Sequence, residues 1–82
     1  MYTKNIVIEK ITDAIRFTQL ASAQPFDIDI KSGRHQVDAK SQLGIFTIDL
    51  SSPSEVIIHA AEDGSQDAAA EAFLKEIAEF IV

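Results

Sequence analysis

Four short segments of the chain carry the β-branched or alternating pattern that is typical of strands. They are residues 5–9 (NIVIE), 26–30 (FDIDI), 35–39 (HQVDA) and 55–60 (EVIIHA). In the second segment, strict alternation puts Phe26, Ile28 and Ile30 on one face. Ser32 and Gly33 supply the turn that joins the second and third segments into a hairpin. The fourth segment is the most apolar, so we expect it at the centre of the sheet.

Three other segments have apolar residues at helical spacing. The first begins with Thr12 and Asp13 as capping residues and ends before Pro25, and its buried stripe is Ala14, Phe17, Thr18 and Ala21. The second begins at Ser41 and ends near residues 49–52. The third starts at Gln66, and its stripe is Ala69, Ala70, Phe73, Ile77 and Phe80. The element order is therefore β-α-β-β-α-β-α.

Length and charge restrict the kind of protein that this sequence encodes. A chain of 82 residues predicts a single domain, residues 1–82. A composition of 46% hydrophobic and 24% charged residues is ordinary for a globular domain. The formal net charge of −6 argues against nucleic acid and anionic membranes, both of which require a basic surface. It is compatible with a basic protein partner and also with simple solubility.

The chain contains no cysteine, which excludes disulfides, thiol nucleophiles and cysteine-ligated metals. The first residues, Met-Tyr-Thr-Lys-Asn, lack the basic and apolar regions of a signal peptide, and no apolar run is long enough to span a membrane. We therefore expect a cytoplasmic protein. We also expect no cofactor and no metal, and a monomer or a weak dimer.

Polar residues gather at the outward positions of the predicted strands. The set consists of Glu9, Asp27, Asp29, Gln36, Asp38 and His59. If helices cover one side of an antiparallel sheet, the other side stays hydrated and acidic. We interpret this set as a solvated sheet face first and a docking surface second.

The ordered series of segments resembles the histidine-containing phosphocarrier protein (HPr) family of the bacterial sugar phosphotransferase system. The resemblance is carried by residues 18–33 (TQLASAQPFDIDIKSG), 37–46 (VDAKSQLGIF) and 54–77 (SEVIIHAAEDGSQDAAAEAFLKEI). It implies an α+β fold, an open-faced β-sandwich in which three helices cover one face of a four-stranded antiparallel sheet of order 1-4-2-3. It also implies a binding or carrier protein and not an enzyme.

The sequence departs from the family pattern in the loop after the first strand. There the family carries a Gly-(Leu/Ile)-His-Ala-Arg-Pro motif, whose histidine accepts the phosphoryl group and whose arginine helps to neutralise it. Here residues 9–17 (EKITDAIRF) contain no histidine, glycine or proline. Lys10 or Ile11 falls where the histidine would be, and Thr12 or Asp13 where the arginine and proline would be. A lysine amine is protonated near neutral pH, so phosphocarrier chemistry is not expected at this position.

The two histidines, His35 and His59, lie on the predicted third and fourth strands. These strands are not neighbours in the order that the resemblance implies, so a shared metal or phosphate site is not expected. We interpret both residues as structural or simply exposed. The chain also lacks a glycine-rich phosphate loop, a triad and a cluster with metal-ligand spacing.

The resemblance assigns a second kind of site to residues 40–46. In low-GC Gram-positive members of the family, the serine of the Lys-Ser pair is the target of a dedicated kinase, and Ser41 occupies that position. A phosphate there would also meet the positive end of the helix dipole. The alternative is that Ser41 only caps the helix. Within the family, exposed apolar residues of the second helix contact partner proteins, and Leu43 and Phe46 match them, with Lys40 beside them. The alternative is that both belong to the core.

Three hypotheses follow from these observations. The first is a regulatory, protein-binding member of the family that has lost phosphocarrier chemistry and is switched at Ser41. Its partners would be phosphotransferase-system components, a serine kinase or a transcription regulator. The second is a phosphocarrier that uses another residue, such as His59. The third is a structural module with an unrelated function.

Overall fold

The structure, a computed structural model, describes residues 1–82. Its elements are β1 (Tyr2–Ile6), α1 (Ile11–Ser22), β2 (Asp27–Ser32), β3 (His35–Asp38), α2 (Gln42–Ile45), β4 (Ser54–His59), α3 (Asp67–Glu76) and a 3-10 turn (Ala78–Phe80). This order confirms the prediction of β-α-β-β-α-β-α. None of the helices has the length and apolar character needed to cross a membrane.

The four strands form one antiparallel sheet in the order β1-β4-β2-β3. Strand β4 pairs with both β1 and β2, which confirms the prediction that the most apolar segment is central. Ser32 pairs with His35, so the β2–β3 hairpin has a two-residue loop. In that loop Gly33 has a φ of 60°, a backbone conformation that a residue with a Cβ rarely adopts.

The core lies between one face of this sheet and the helices. The side chains that alternate along the strands supply the sheet half of it, namely Ile6, Ile28, Ile30, Val56 and Ile58. The helices supply Ala14, Phe17, Ala21, Ala70, Phe73, Ile77 and Phe80. Both helical stripes predicted from the spacing are thus confirmed, apart from Ala69, which is only half-buried.

Helix α1 begins without the cap that the sequence predicts. Its N-cap residue is Lys10, and no side chain accepts a hydrogen bond there. Thr12 and Asp13 already lie inside the first turn, where the carboxylate of Asp13 still complements the positive end of the helix dipole. The helix ends at Ser22, three residues before Pro25.

Strand β1 lies three residues earlier than predicted, at Tyr2–Ile6 and not at residues 5–9. After Ile6 the backbone leaves the ladder with β4, because the amide of Val7 donates to the Phe80 carbonyl and that of Ile8 to the Leu50 carbonyl. The apolar run therefore continues into a buried connection instead of a strand. As a consequence Glu9 does not belong to the sheet face, and its predicted place there is wrong.

The end of the chain pairs with the outer edge of β1. Ile81 forms an antiparallel bridge with Ile6, and the amide of Val82 donates to the Asn5 carbonyl at 3.0 Å. This contact fixes the 3-10 turn against the first strand, so that Phe80 can pack on Phe17.

Helix α2 is much shorter than predicted and ends at Ile45, not near residues 49–52. Directly after it the backbone forms tighter turns, with the Thr47 amide bound to the Gly44 carbonyl, and side chains add further hydrogen bonds. The Thr47 hydroxyl donates to the Gly44 carbonyl at 2.6 Å, and Asp49 accepts from the amide of Ser51 at 3.0 Å. Short polar side chains of this kind compete with the helical ladder and favour turns.

Candidate functional site

The first turn of α1 lies where the resemblance would put the phosphoryl acceptor. It contains Lys10 as N-cap, followed by Ile11, whose side chain is 71% exposed, and by Thr12 and Asp13. These side chains offer an ammonium, an apolar group, a hydroxyl and a carboxylate, and none of them is an imidazole.

The nearest guanidinium to this turn, that of Arg16, already has partners. It forms an ion pair with Glu79, lies 3.9 Å from the carboxylate of Asp13, and stacks 5.2 Å above the centre of the Phe80 ring. Arg16 therefore joins α1 to the 3-10 turn. The spacing of Asp13 and Arg16 could have suggested the local pair, but nothing local predicts the contacts with residues 79 and 80.

Both histidines lie far from the beginning of α1. His59 is the last residue of β4, and Ser54, the first residue of that strand, pairs with Ile6 of β1. Ser54 and His59 are five residue steps apart along the strand, roughly 17 Å at about 3.4 Å per step. His35 is on β3, the other edge strand, three strand spacings or roughly 14 Å from β1.

The open face of the sheet gathers the acidic residues as predicted, except for Glu9. Asp27, Asp29, Asp38 and His59 line one shallow depression. The Oδ2 atom of Asp29 lies 3.1 Å from Nε2 of His59 and also accepts a hydrogen bond from the Gln36 amide at 3.0 Å. No group of three or more histidine and carboxylate side chains has the arrangement of a metal site. The contact of His59 with Asp29 instead joins β4 to β2.

Ser41 is the N-cap of α2. Its Oγ accepts a hydrogen bond from the amide of Gly44 at 3.1 Å, as expected for a cap worth about 1 kcal/mol. The helix that follows has only four residues. Its dipole is correspondingly small, so the expected attraction between this helix and a phosphate on Ser41 is weaker than the sequence predicted.

Lys40 is half-buried and bound within the chain. Its Nζ donates to the Gln24 carbonyl at 3.0 Å, and its amide donates to Oδ1 of Asp38 at 2.9 Å. The Ser22 hydroxyl in turn donates to the Lys40 carbonyl at 3.4 Å. Lys40 thus holds the residues just after α1 against the beginning of α2, a role that the sequence did not reveal.

Leu43 and Phe46 lie on the surface and not in the core. Their side chains are 83% and 50% exposed, whereas Ile45 between them is buried. Helix α2 contains no charged residue. The two side chains are three residues apart and share one face of the α2 turn. Of the two alternatives, the structure therefore supports an exposed apolar patch.

A groove of about 370 Å³ separates this patch from the first turn of α1. Ile11 and Phe46 line it, together with Ile8, Ala14, Ile45 and Leu50. Ile11 lies one residue before the helix start that the sequence predicts, and it continues the spacing of the buried stripe of α1. It lies three residues before Ala14, where burial begins, and so contributes exposed apolar surface that sequence reasoning missed.

A four-stranded antiparallel sheet of order 1-4-2-3 with helices on one face places the chain among the open-faced β-sandwich proteins. The family model PTS-HPr, described as the PTS HPr component phosphorylation site, matches residues 11–81. The chain therefore belongs to the HPr family and is related to the phosphotransferase system.

Two solved structures share this fold. HPr-C-His from Thermoanaerobacter tengcongensis superimposes with a TM-score of 0.76 at 22% identity, over 96% of this chain and 92% of that chain. The phosphocarrier protein HPr from Bacillus anthracis str. Ames gives a TM-score of 0.62 at 23% identity, over 88% of this chain and 94% of that chain. A comparison with curated proteins finds no match.

Proposed function

We propose that this protein is a regulatory, protein-binding member of the HPr family that does not carry phosphoryl groups. It acts in the cytoplasm by docking to phosphotransferase-system components through Leu43 and Phe46, with Lys40 holding this surface in place. Phosphorylation of Ser41 switches the docking. The observation that carries this proposal is the exposure of Leu43 on a helix without charge and of Phe46, its C-cap residue. Exposed apolar patches of this kind are typical of interaction sites.

The loss of carrier chemistry is supported by the residues at the beginning of α1. No histidine occurs in residues 9–17, and Arg16 is engaged by Glu79 and Asp13. A phosphoryl group at this place would find neither a neutral nitrogen nucleophile nor a free guanidinium. The alternative carrier residue His59 is exposed and lies beside Asp27 and Asp29, whose carboxylates would repel a phosphate.

Replacing Leu43 of α2, or Phe46 directly after it, with aspartate should weaken docking at least about tenfold. Burying one such side chain contributes about 1.5–3 kcal/mol, and a carboxylate at the same place would have to be desolvated. Calorimetry with the purified general phosphotransferase enzyme and with the serine kinase of the family measures the affinity of Leu43→Asp and Phe46→Asp. At least one of the two proteins should bind the parent chain.

Met1→Asp is the matched control, because Met1 is as exposed as Leu43 but lies at the other end of the fold, before β1. It should bind as the parent chain does. Equal affinity of all three variants, or no binding of either protein to the parent chain, would contradict docking through α2.

The serine kinase of the family, supplied with ATP, should label the parent chain and leave Ser41→Ala unlabelled. Ser41 is half-buried, with its Oγ bound to the Gly44 amide. A phosphate on this Oγ changes the charge beside Leu43 by about −2. Labelling of Ser41→Ala, or no label on the parent chain, would remove the switch from this proposal and leave the docking surface untouched.

A further inference from the structure

The groove between α1 and α2 combines an apolar interior with an acidic border. Ile11 and Phe46 are its exposed walls. Glu9, Lys10 and Asp49 are the charged residues that line it. Two carboxylates thus face one ammonium group around the apolar floor. The hydroxyl and amide of Ser51 lower the pKa of Asp49, so this carboxylate stays ionised at a lower pH than an ordinary aspartate does.

A second depression shares Ile8, Glu9 and Lys10 with the groove and continues the acidic border. It adds the carboxylates of Asp13 and Glu79, and Arg16 compensates part of their charge. Lys10 is therefore the one cation of this surface that has no carboxylate within ion-pair distance. With a net charge of −6 on the whole chain, the field outside the groove favours a cationic ligand.

We propose that this groove binds a basic amphipathic segment of a partner protein, in which apolar side chains enter between Ile11 and Phe46 and flanking Lys or Arg side chains meet Glu9 and Asp49. This inference rests on the proposed docking function and names the chemistry of the partner at the same site. Apolar contact supplies affinity. The acidic border favours a positively charged partner and accelerates association.

The charge of the chain disfavours a second copy as the occupant. Two copies would bring two net charges of −6 together, and each would place an acidic border opposite the other. Like charges juxtaposed across an interface are costly. The groove therefore fits a partner of opposite sign better than it fits the protein itself.

Titration of the amide NMR spectrum with two designed peptides tests this inference. Both are amphipathic helices of about 18 residues, five turns, one built from Leu and Lys and the other from Leu and Glu in the same pattern. The Leu/Lys peptide should bind at least about tenfold more tightly, with the largest shifts at Ile8, Ile11 and Phe46. Its affinity should fall as salt is added, since exposed charges are screened over about 8 Å at 0.15 M.

Two exposed positions on the groove have matched controls elsewhere. Ile11→Ala should weaken the Leu/Lys peptide about fivefold or more, whereas Met1→Ala should not change its affinity. Glu9→Lys should weaken it severalfold, whereas Glu76→Lys, the same change of charge on α3, should have a much smaller effect.

Three results would overturn the inference: equal affinity for the two peptides, shifts centred on the sheet face at Asp27, Asp29 and Asp38, or no binding of either peptide. The titration contains no phosphotransferase-system protein. If the Leu/Lys peptide binds and the purified enzyme and kinase do not, the proposed function fails while the chemistry of the groove stands. If those proteins dock through α2 and the Leu/Lys peptide does not bind, only the present inference fails.

Discussion

Phe17→Ala should remove about 3–5 kcal/mol from the free energy of unfolding. The Phe17 side chain is fully buried, and the centre of its ring lies 6.1 Å from that of Phe73 and 6.5 Å from that of Phe80. Its removal leaves a cavity where α1, α3 and the 3-10 turn meet. An 82-residue domain has a total stability of roughly 4–12 kcal/mol at the usual 0.05–0.15 kcal/mol per residue. The loss is therefore at least about a quarter of the total stability, and at the lower end of the range it equals the total.

Phe46→Ala is the control for this measurement, since it makes the same chemical change at a half-exposed position. It should lower the free energy of unfolding by about 1 kcal/mol or less. Urea denaturation followed by circular dichroism measures both variants. Equal losses at the two positions would show that Phe17 does not hold the helices to the core.

No acid-labile phosphoryl group should appear on the protein when it is incubated with labelled phosphoenolpyruvate and the general phosphotransferase enzyme. Transfer to a histidine needs a neutral imidazole nitrogen at the acceptor position and a positive environment for the phosphate. Here the first turn of α1 presents Lys10, Ile11 and Asp13, and Arg16 is held by two carboxylates. A competent carrier should be labelled in this assay, whereas this protein should carry no label.

The phosphocarrier protein HPr from Bacillus anthracis, treated in parallel, serves as the positive control. Label on the present protein that is lost in acid and retained in base would overturn the non-carrier function. His59→Gln and His35→Gln would then identify the acceptor, since these are the only two histidines of the chain.

The order of the elements and the central position of β4 could be predicted because burial imposes a period on the sequence. Strand β4 alternates within a run that is apolar enough to be covered by neighbours, and α3 repeats its buried residues every three or four positions. The strand order itself came from the family resemblance and not from the pattern. The limits of β1 escaped prediction because residues 2–5 have little apolar character. Val7 and Ile8 are apolar, but their amides bind the carbonyls of Phe80 and Leu50 and not those of β4.

In the candidate site, too, local contacts could be predicted from the sequence and distant contacts could not. The capping role of Ser41 depends on an amide three residues away, so the sequence predicts it. The contact of Lys40 with the Gln24 carbonyl spans 16 residues, and that of Arg16 with Glu79 spans 63. Exposure of Ile11 could not be predicted because its spacing matches that of the buried stripe. Distant partners of this kind have no signature in a single sequence.

The bridge between Ile81 and Ile6 has a consequence for the solubility of the folded chain. An edge strand with free amides and carbonyls is a template on which other chains can add strands and aggregate. Here the Val82 amide binds the Asn5 carbonyl on the outer side of β1, and the Phe80 carbonyl binds the Val7 amide just after the strand. The opposite edge, β3, is only four residues long. Trimming Ile81 and Val82 would free the Asn5 carbonyl, lengthen the open edge of β1 and favour aggregation, although neither residue lines the groove beside Phe46.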